Sequence, residues 1–192
     1  MKVSDVIPAI LLASSASAQT PAGFTPSVET KLDVTFATKN IATPGQAMTK
    51  AETARQPTIG LSGANGTYVW MMIDLDASTN FVNPKAGTPT TYLHTVIRDF
   101  KPSGAASDAG VTALKSTATG PVSWFAPAPP AENPPHPHRY TNLLWEQPAN
   151  WQIPSSANTM LQSQRTGFDV PKFITAAGLS APVAAIYFNV TG

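Results

Sequence analysis

The chain has 192 residues, a formal net charge of +1 and only 12% charged side chains, about half the roughly 25% of an average globular protein. No basic or acidic block occurs anywhere, which excludes nucleic-acid binding and polybasic membrane targeting as readings, and the absence of cysteine excludes disulfides, thiolate metal sites and cysteine nucleophiles. Apolar residues make up 42% of the chain, enough for one folded domain with a sizeable core, and its 19 prolines are about double the usual share.

In chain order, Met1-Lys2 is a weakly positive start, Val6 to Ala13 is an apolar stretch broken by Pro8, and Ala16-Ser17-Ala18 is a small-x-small cleavage site before Gln19. Residues 1–18 read as a signal peptide and 19–192 as a single, secreted domain. Removing Lys2 and Asp5 leaves the net charge unchanged. No stretch approaches the roughly 18 apolar residues of a transmembrane segment. Two sequons, Asn65-Gly66-Thr67 and Asn189-Val190-Thr191, agree with export. Asn65 lies in a Gly-Ala-Asn-Gly turn and is the expected glycosylation site; Asn189 is nearly terminal and is not.

Val28 to Phe36 alternates with period two and predicts a half-buried strand, with Val28, Leu32, Val34 and Phe36 on one face. Asn40 to Gln46 is a turn punctuated by Pro44-Gly45. Tyr68 to Asp74 is aromatic, β-branched and Met-rich, the pattern of a central strand buried on both faces. A loop follows from Ala77 to Thr90, then a strand from Tyr92 to Phe100. Pro102 to Thr119 is a Gly/Ser/Ala-rich surface excursion with some irregular strand, and Tyr140 to Trp145 is another buried strand. Ser155 to Arg165 predicts a short helix. Asp169-Val170-Pro171 supplies an N-cap and an early proline for a second, which Gly178 stops. Ala181 to Phe188 closes the chain as a strand. Strands outnumber helices without alternating with them, so the fold class is mostly β with minor α rather than βαβ.

On a strand, residues i and i+2 share a face. Asp74 and Asp76, Tyr92 and His94, and His138 and Tyr140 form three such pairs, each at the end of an apolar strand beside a breaker-rich loop. If the strands are neighbours, two carboxylates, two imidazoles and two phenols meet at one rim. An Asp beside a His favours the imidazolium. Two imidazoliums, tyrosine hydroxyls and N–H groups of the Pro-rich loop Ala126-Pro127-Ala128-Pro129-Pro130 would then seat a small anion, with the carboxylates behind the histidines. Each charge-assisted hydrogen bond contributes roughly 1.5–3 kcal/mol.

Other chemistries fit less well. Two His and two Asp suit zinc or non-haem iron, and His136 adds a His-Pro-His triplet. Pro137 stiffens that triplet, however, and no helical His-x-x-x-His spacing exists, so neither a metal nor any cofactor is expected. No Gly-x-Ser-x-Gly elbow marks a serine nucleophile. Asp74 and Asp76 lack the aromatic sugar platform of a glycosidase.

With these residues in hand, the chain resembles the phosphatidylethanolamine-binding, or Raf kinase inhibitor protein-like, family from about Val28 to Phe188. Asp74-Leu75-Asp76-Ala77-Ser78 is similar to the family's Asp-Pro-Asp-Ala-Pro box and Tyr92-Leu93-His94 to its aromatic-x-His strand. The Pro-rich loop followed by His138-Arg139-Tyr140 is similar to its Pro-Pro…His-Arg-Tyr element. Secreted, proline-rich versions with this loop look fungal. The resemblance implies a large central antiparallel sheet packed on a smaller one, with C-terminal helices. It also implies a non-enzymatic anion pocket, to which Asp74, His94, His138 and Tyr140 carry over directly and Asp76, Tyr92 and Pro129 more loosely. The implied partners are a small anionic ligand or phospholipid headgroup or, alternatively, a serine protease such as a serine carboxypeptidase, inhibited by contact. A metal-dependent hydrolase is the remaining alternative. Leu75 and Ser78 replace both prolines of the Asp box, so the Ala77–Ser78 bond is expected to be trans, and Ala128 narrows the backbone's approach to an anion.

Overall fold

The strands sort their side chains into two apolar layers with one sheet between them. The computed structural model describes residues 17–163 and 165–192. Its strands are β1 (Asp33–Phe36), β2 (Lys39–Asn40), β3 (Gln46–Met48), β4 (Thr58–Ser62), β5 (Tyr68–Ser78), β6 (Pro89–Pro102), β7 (Val111–Lys115), β8 (Pro121–Val122), β9 (Pro137–Glu146) and β10 (Ala184–Thr191). Helices α1 (Ser155–Ser163) and α2 (Val170–Ala177) precede the last strand. The strand order is β2-β1-β4-β7-β6-β5-β9-β10-β3, with β8 added to β6. The long β6 links the larger sheet to the smaller: its centre pairs with β5, and its end, Lys101 and Pro102, pairs with β7. The small sheet thereby curls over one face of the large one.

β5 shows why the run from Tyr68 is apolar without alternation. Tyr68, Trp70 and Met72 face the core shared with the small sheet, beside Val34, Phe36, Ile59 and Phe188. Val69, Met71 and Ile73 face the opposite core, beneath Leu161, Phe168 and Phe173 from the helical region. A strand covered on both sides has no face to give to polar residues. The α2 boundaries follow the sequence signals: Asp169 accepts from the Lys172 N–H at 3.0 Å, and Gly178 ends the helix at φ 63, a left-handed cap that glycine takes without a Cβ penalty. Among the described residues no helix is long and apolar enough to cross a membrane.

The mostly-β architecture with two late helices is as the sequence implies, with four differences. The strand predicted from Val28 is regular only from Asp33. Val28 packs into the helix-side core while Leu32, Val34 and Phe36 enter the other. The chain crosses between layers near Lys31, which bridges to Ala185, and a single period-two reading cannot represent that crossing. β3 runs parallel to β10, so the large sheet is not purely antiparallel. α1, described over Ser155–Ser163, does not include Arg165. The strand expected to be irregular within Pro102–Thr119 is a regular one, β7.

Residues 1–16, most of the signal-peptide segment, lie outside the described residues. From Gln19 the backbone is tied down, its N–H donating to the Val28 carbonyl at 2.7 Å. The Ala77–Ser78 bond is trans. Asn65 is exposed between β4 and β5, whereas Asn189 sits within β10 and donates to the Gly45 carbonyl at 3.1 Å.

Candidate ligand-binding site

Strand register builds the site. Asp74 on β5 is paired with Tyr92 on β6 and with Tyr140 on β9, so the three side chains occupy one rung on one face. His138, two residues before Tyr140, shares that face. His94 arrives differently. Between the pairs Met72–Thr95 and Ile73–Leu93 the register steps by one residue, leaving His94 as the unopposed residue of a β-bulge. Leu93 and Val96 both enter the helix-side core, so alternation breaks between them and His94 is re-aimed.

A second step lies between Asp74 and Ala77. There the Asp76 N–H donates to Asp74 Oδ1 at 2.8 Å. Asp76 itself swings onto Arg139, accepting from its backbone N–H and Nε at 2.8 Å and from Nη2 at 2.7 Å. The expectation that Asp74 and Asp76 point the same way is therefore corrected: the bulge turns Asp76 into a neighbouring recess lined also by Glu132 and His136. Burial pushes the Asp76 carboxyl up, but the Arg139 hydrogen bonds and charge outweigh it and hold the pKa below the ordinary value.

The structure brings the remaining candidates, Asp74, Tyr92, His94, Pro129, His138 and Tyr140, around one cavity of about 300 Å³. Phe81, Phe125 and Pro130 also line it. The Pro-rich loop is fastened over this cavity from behind. Trp124 stacks on Trp70 with ring centroids 5.8 Å apart, Thr95 Oγ1 donates to the Val122 carbonyl at 2.8 Å, and Pro127 and Pro129 are buried.

The two histidines differ in chemistry. His138 Nδ1 lies 2.8 Å from Asp74 Oδ2, with the side chains only 3% and 5% exposed. Burial lowers its pKa, but the hydrogen bond and charge of Asp74, with Glu132 adding to them, raise it overall. His94 Nδ1 lies 2.8 Å from the Phe125 carbonyl oxygen. A carbonyl only accepts, so Nδ1 carries the proton. Burial lowers the His94 pKa by more than that bond raises it. His94 therefore favours the neutral ring, whose Nε2 is an acceptor. The expected pair of imidazoliums is corrected to at most one, because no carboxylate hydrogen-bonds His94 against its desolvation. Burial, then the Asp74 charge, keeps Tyr140 protonated, its pKa far above the ordinary value. Of the loop residues lining the cavity, Pro129 and Pro130 have no N–H to offer.

Sequence reasoning missed Glu132, whose Oε1 is 3.6 Å from His138 Nε2, and the rim residues Phe81 and Phe125, which are 54% and 48% exposed. Glu132 had a signal: it is the lone acid between Asp108 and Glu146. The rim phenylalanines had none, since they lie in segments that read as loops.

The family described as Phosphatidylethanolamine-binding protein matches residues 33–188. The chain belongs to the phosphatidylethanolamine-binding protein family. The family is named for binding rather than for catalysis. It is similar to "Phomoidride biosynthesis cluster protein N" of Talaromyces stipitatus, at 31% identity over 98% of both chains. It is also similar to a "26 kDa secreted antigen" of Toxocara canis, at 30% identity over 83% of this chain and 55% of the antigen. Among solved structures, the fold matches a carboxypeptidase Y inhibitor crystallised with its cognate proteinase, at TM-score 0.56 and 18% identity over 85% and 84% of the two chains. It matches the phosphatidylethanolamine-binding protein of Plasmodium vivax at TM-score 0.54 and 13% identity over 85% of each. At those identities the structural matches speak for the fold alone.

Proposed function

We propose that this chain is an exported binding protein whose cavity takes a small amphipathic acid, with the phosphate or carboxylate head on the polar floor and the apolar body along the rim. The carrying observation is the contrast within one cavity. Asp74, His94, His138 and Tyr140 are almost wholly buried, while Phe81 and Phe125 flank Tyr92 at the mouth, with ring centroids 5.4 and 6.1 Å from it. A few convergent polar groups in an otherwise apolar cleft is the usual make-up of a small-ligand site. The neutral His94 refines the ligand: an Nε2 acceptor beside a Tyr140 hydroxyl suits a head that still carries one proton. The whole-length likeness to a protein named for a biosynthesis cluster supports a small-molecule ligand over a membrane phospholipid.

Calorimetric titration of the chelator-treated mature protein with phosphate, phosphoethanolamine and butyl phosphate tests this reading. Butyl phosphate should bind more tightly than phosphate by about 3 kcal/mol, at roughly 0.8 kcal/mol per buried methylene, and a His94→Ala, His138→Ala double variant should lose both. Equal affinity for all three would remove the rim from the argument, and no heat with any would sink the pocket reading. Export is checked by N-terminal sequencing of protein from a fungal culture supernatant. A chain starting at Gln19 supports it; a full-length intracellular protein overturns it. Asn65 is the proposed glycan site, read by a mass shift lost in Asn65→Gln.

A serine carboxypeptidase inhibitor is the second reading, favoured by the fold shared with the carboxypeptidase Y inhibitor. An inhibition assay with the same protein decides it, and blocking the cavity with ligand should leave such inhibition unchanged. A metal-dependent hydrolase would need turnover as well as metal.

A further inference from the structure

We propose that Glu132, His136 and His138 form a binding site for one divalent transition-metal ion of the zinc type, at the junction of the main cavity and the neighbouring recess. The three residues come from the last part of the Pro-rich loop and the first turn into β9. His136 Nδ1 is 3.9 Å from Glu132 Oε2, and His138 Nε2 is 3.6 Å from Glu132 Oε1. One donor atom from each residue lies within 4.8 Å of the others. Zinc bonds of about 2.0–2.2 Å in tetrahedral array put donor atoms about 3.3–3.6 Å apart, so His138 Nε2 and the Glu132 carboxylate already stand at a coordination edge. His136 faces the other carboxylate oxygen and has to move inward. His136 is mostly exposed, which leaves its ring free to make that adjustment.

A second observation, independent of the clustering, points to a ligand. His138 Nε2 is buried with no hydrogen-bond partner, on a side chain only 3% exposed and turned toward Glu132. A buried polar atom left unpaired is costly, and native structures rarely tolerate one without a use for it. The other ring nitrogen is fixed by Asp74 at 2.8 Å. That bond keeps a proton on Nδ1, so a metal ion that displaces the Nε2 proton meets a lone pair aimed at Glu132, the arrangement that a carboxylate behind a metal-binding histidine imposes. Two imidazoles and one carboxylate are a donor set for zinc or another first-row divalent ion. Three protein donors leave a coordination position open, which an anion or water can take. The sequence reading set metal aside because it looked for a helical spacing and for the aspartates. A loop-and-strand spacing, with Glu132 as the acid, meets the geometric need instead.

This inference goes beyond the anion-pocket reading and is tested without any organic ligand. Tag-free, metal-stripped protein is titrated with zinc chloride by calorimetry and with cobalt(II) by visible absorption. One equivalent should bind, with the intense absorption of four-coordinate cobalt, and zinc should raise the melting temperature in proportion to its occupancy. His136→Ala and Glu132→Gln, both at partly or fully exposed loop positions and expected to melt like the wild type without metal, should each weaken binding at least tenfold. Absence of saturable binding would overturn the site and leave a proton as the sole occupant of His138 Nε2. So would one-to-one binding that both variants retain unchanged. Phosphate binding by the stripped protein reports on the pocket separately, so the two readings fail independently.

Discussion

The β9 wall and the β6 wall of the cavity each present one buried histidine, and they solve its burial in opposite ways. On β9, regular pairing places His138 where Asp74 reaches its Nδ1, and a carboxylate compensates the ring. On β6, a bulge ejects His94 from the ladder toward the Phe125 carbonyl, and a neutral dipole compensates it. The first solution favours a positive charge and a directed Nε2; the second fixes a neutral ring with an Nε2 acceptor. Sharing a face is thus not sharing a chemistry. The partner of the far nitrogen decides which group the cavity receives.

The largest expected effect comes from removing the partner that defines the β9 wall. Asp74→Ala leaves His138 and the Asp76 N–H without their acceptor in a site almost closed to water. Breaking such a buried pair costs about 3–5 kcal/mol, to be read as a drop in the urea midpoint with an unchanged slope. A loss below about 1 kcal/mol would mean that His138 is neutral and indifferent to Asp74. The contrast between the walls would then collapse.

The β6 wall predicts a pH signature. The His94 pKa in the folded protein is lowered below its ordinary 6.5, first by burial, so the unfolded chain takes up this proton more readily than the folded one. The stability tied to a neutral His94 is complete above about pH 6.5 and is lost as pH falls through the lower folded pKa. His94→Asn, whose amide can still donate to the Phe125 carbonyl, should lose less stability than wild type between pH 6.5 and 5, measured by thermal melts across that range. Parallel curves would show that His94 titrates normally and that its burial carries no charge penalty.

How much of this was legible follows from which rules were local. The apolar run from Tyr68, the Asp169 cap and the Gly178 stop were readable because each is set by residues within a few positions. The convergence of Asp74, Tyr92, His94, His138 and Tyr140 was readable through i, i+2 spacing and family motifs together. What the sequence could not show is where the β5–β6 ladder steps its register, and two of its three one-residue steps set His94 toward Phe125 and divert Asp76 to Arg139. A bulge depends on what the partner strand does, and no residue in Asp74-Leu75-Asp76 announces it. The charge of His94 was misjudged for the same reason, since its partner is 31 residues away. The crossing of the chain between cores near Lys31 is likewise a tertiary event that alternation alone smooths over.

The smallest effect on stability should come from the rim, and there the comparison extends from floor to mouth. Phe81 and Phe125 are about half exposed, so Phe81→Ser and Phe125→Ser remove little buried area, and each should stay within about 1 kcal/mol of wild type in a thermal melt. Phe81 packs edge-on against Tyr92, and Phe125 lies over His94 with ring centroids 5.4 Å apart, so the double variant opens the mouth without touching the Asp74–His138 bond. Phosphate affinity should therefore hold while the advantage of butyl phosphate shrinks by most of its roughly hundredfold, since about 3 kcal/mol of methylene burial depends on those rings. If both ligands weaken together, the rim is holding the polar floor in place. If neither changes, the apolar body of the ligand lies elsewhere, along Pro129 and Pro130, which also line the cavity.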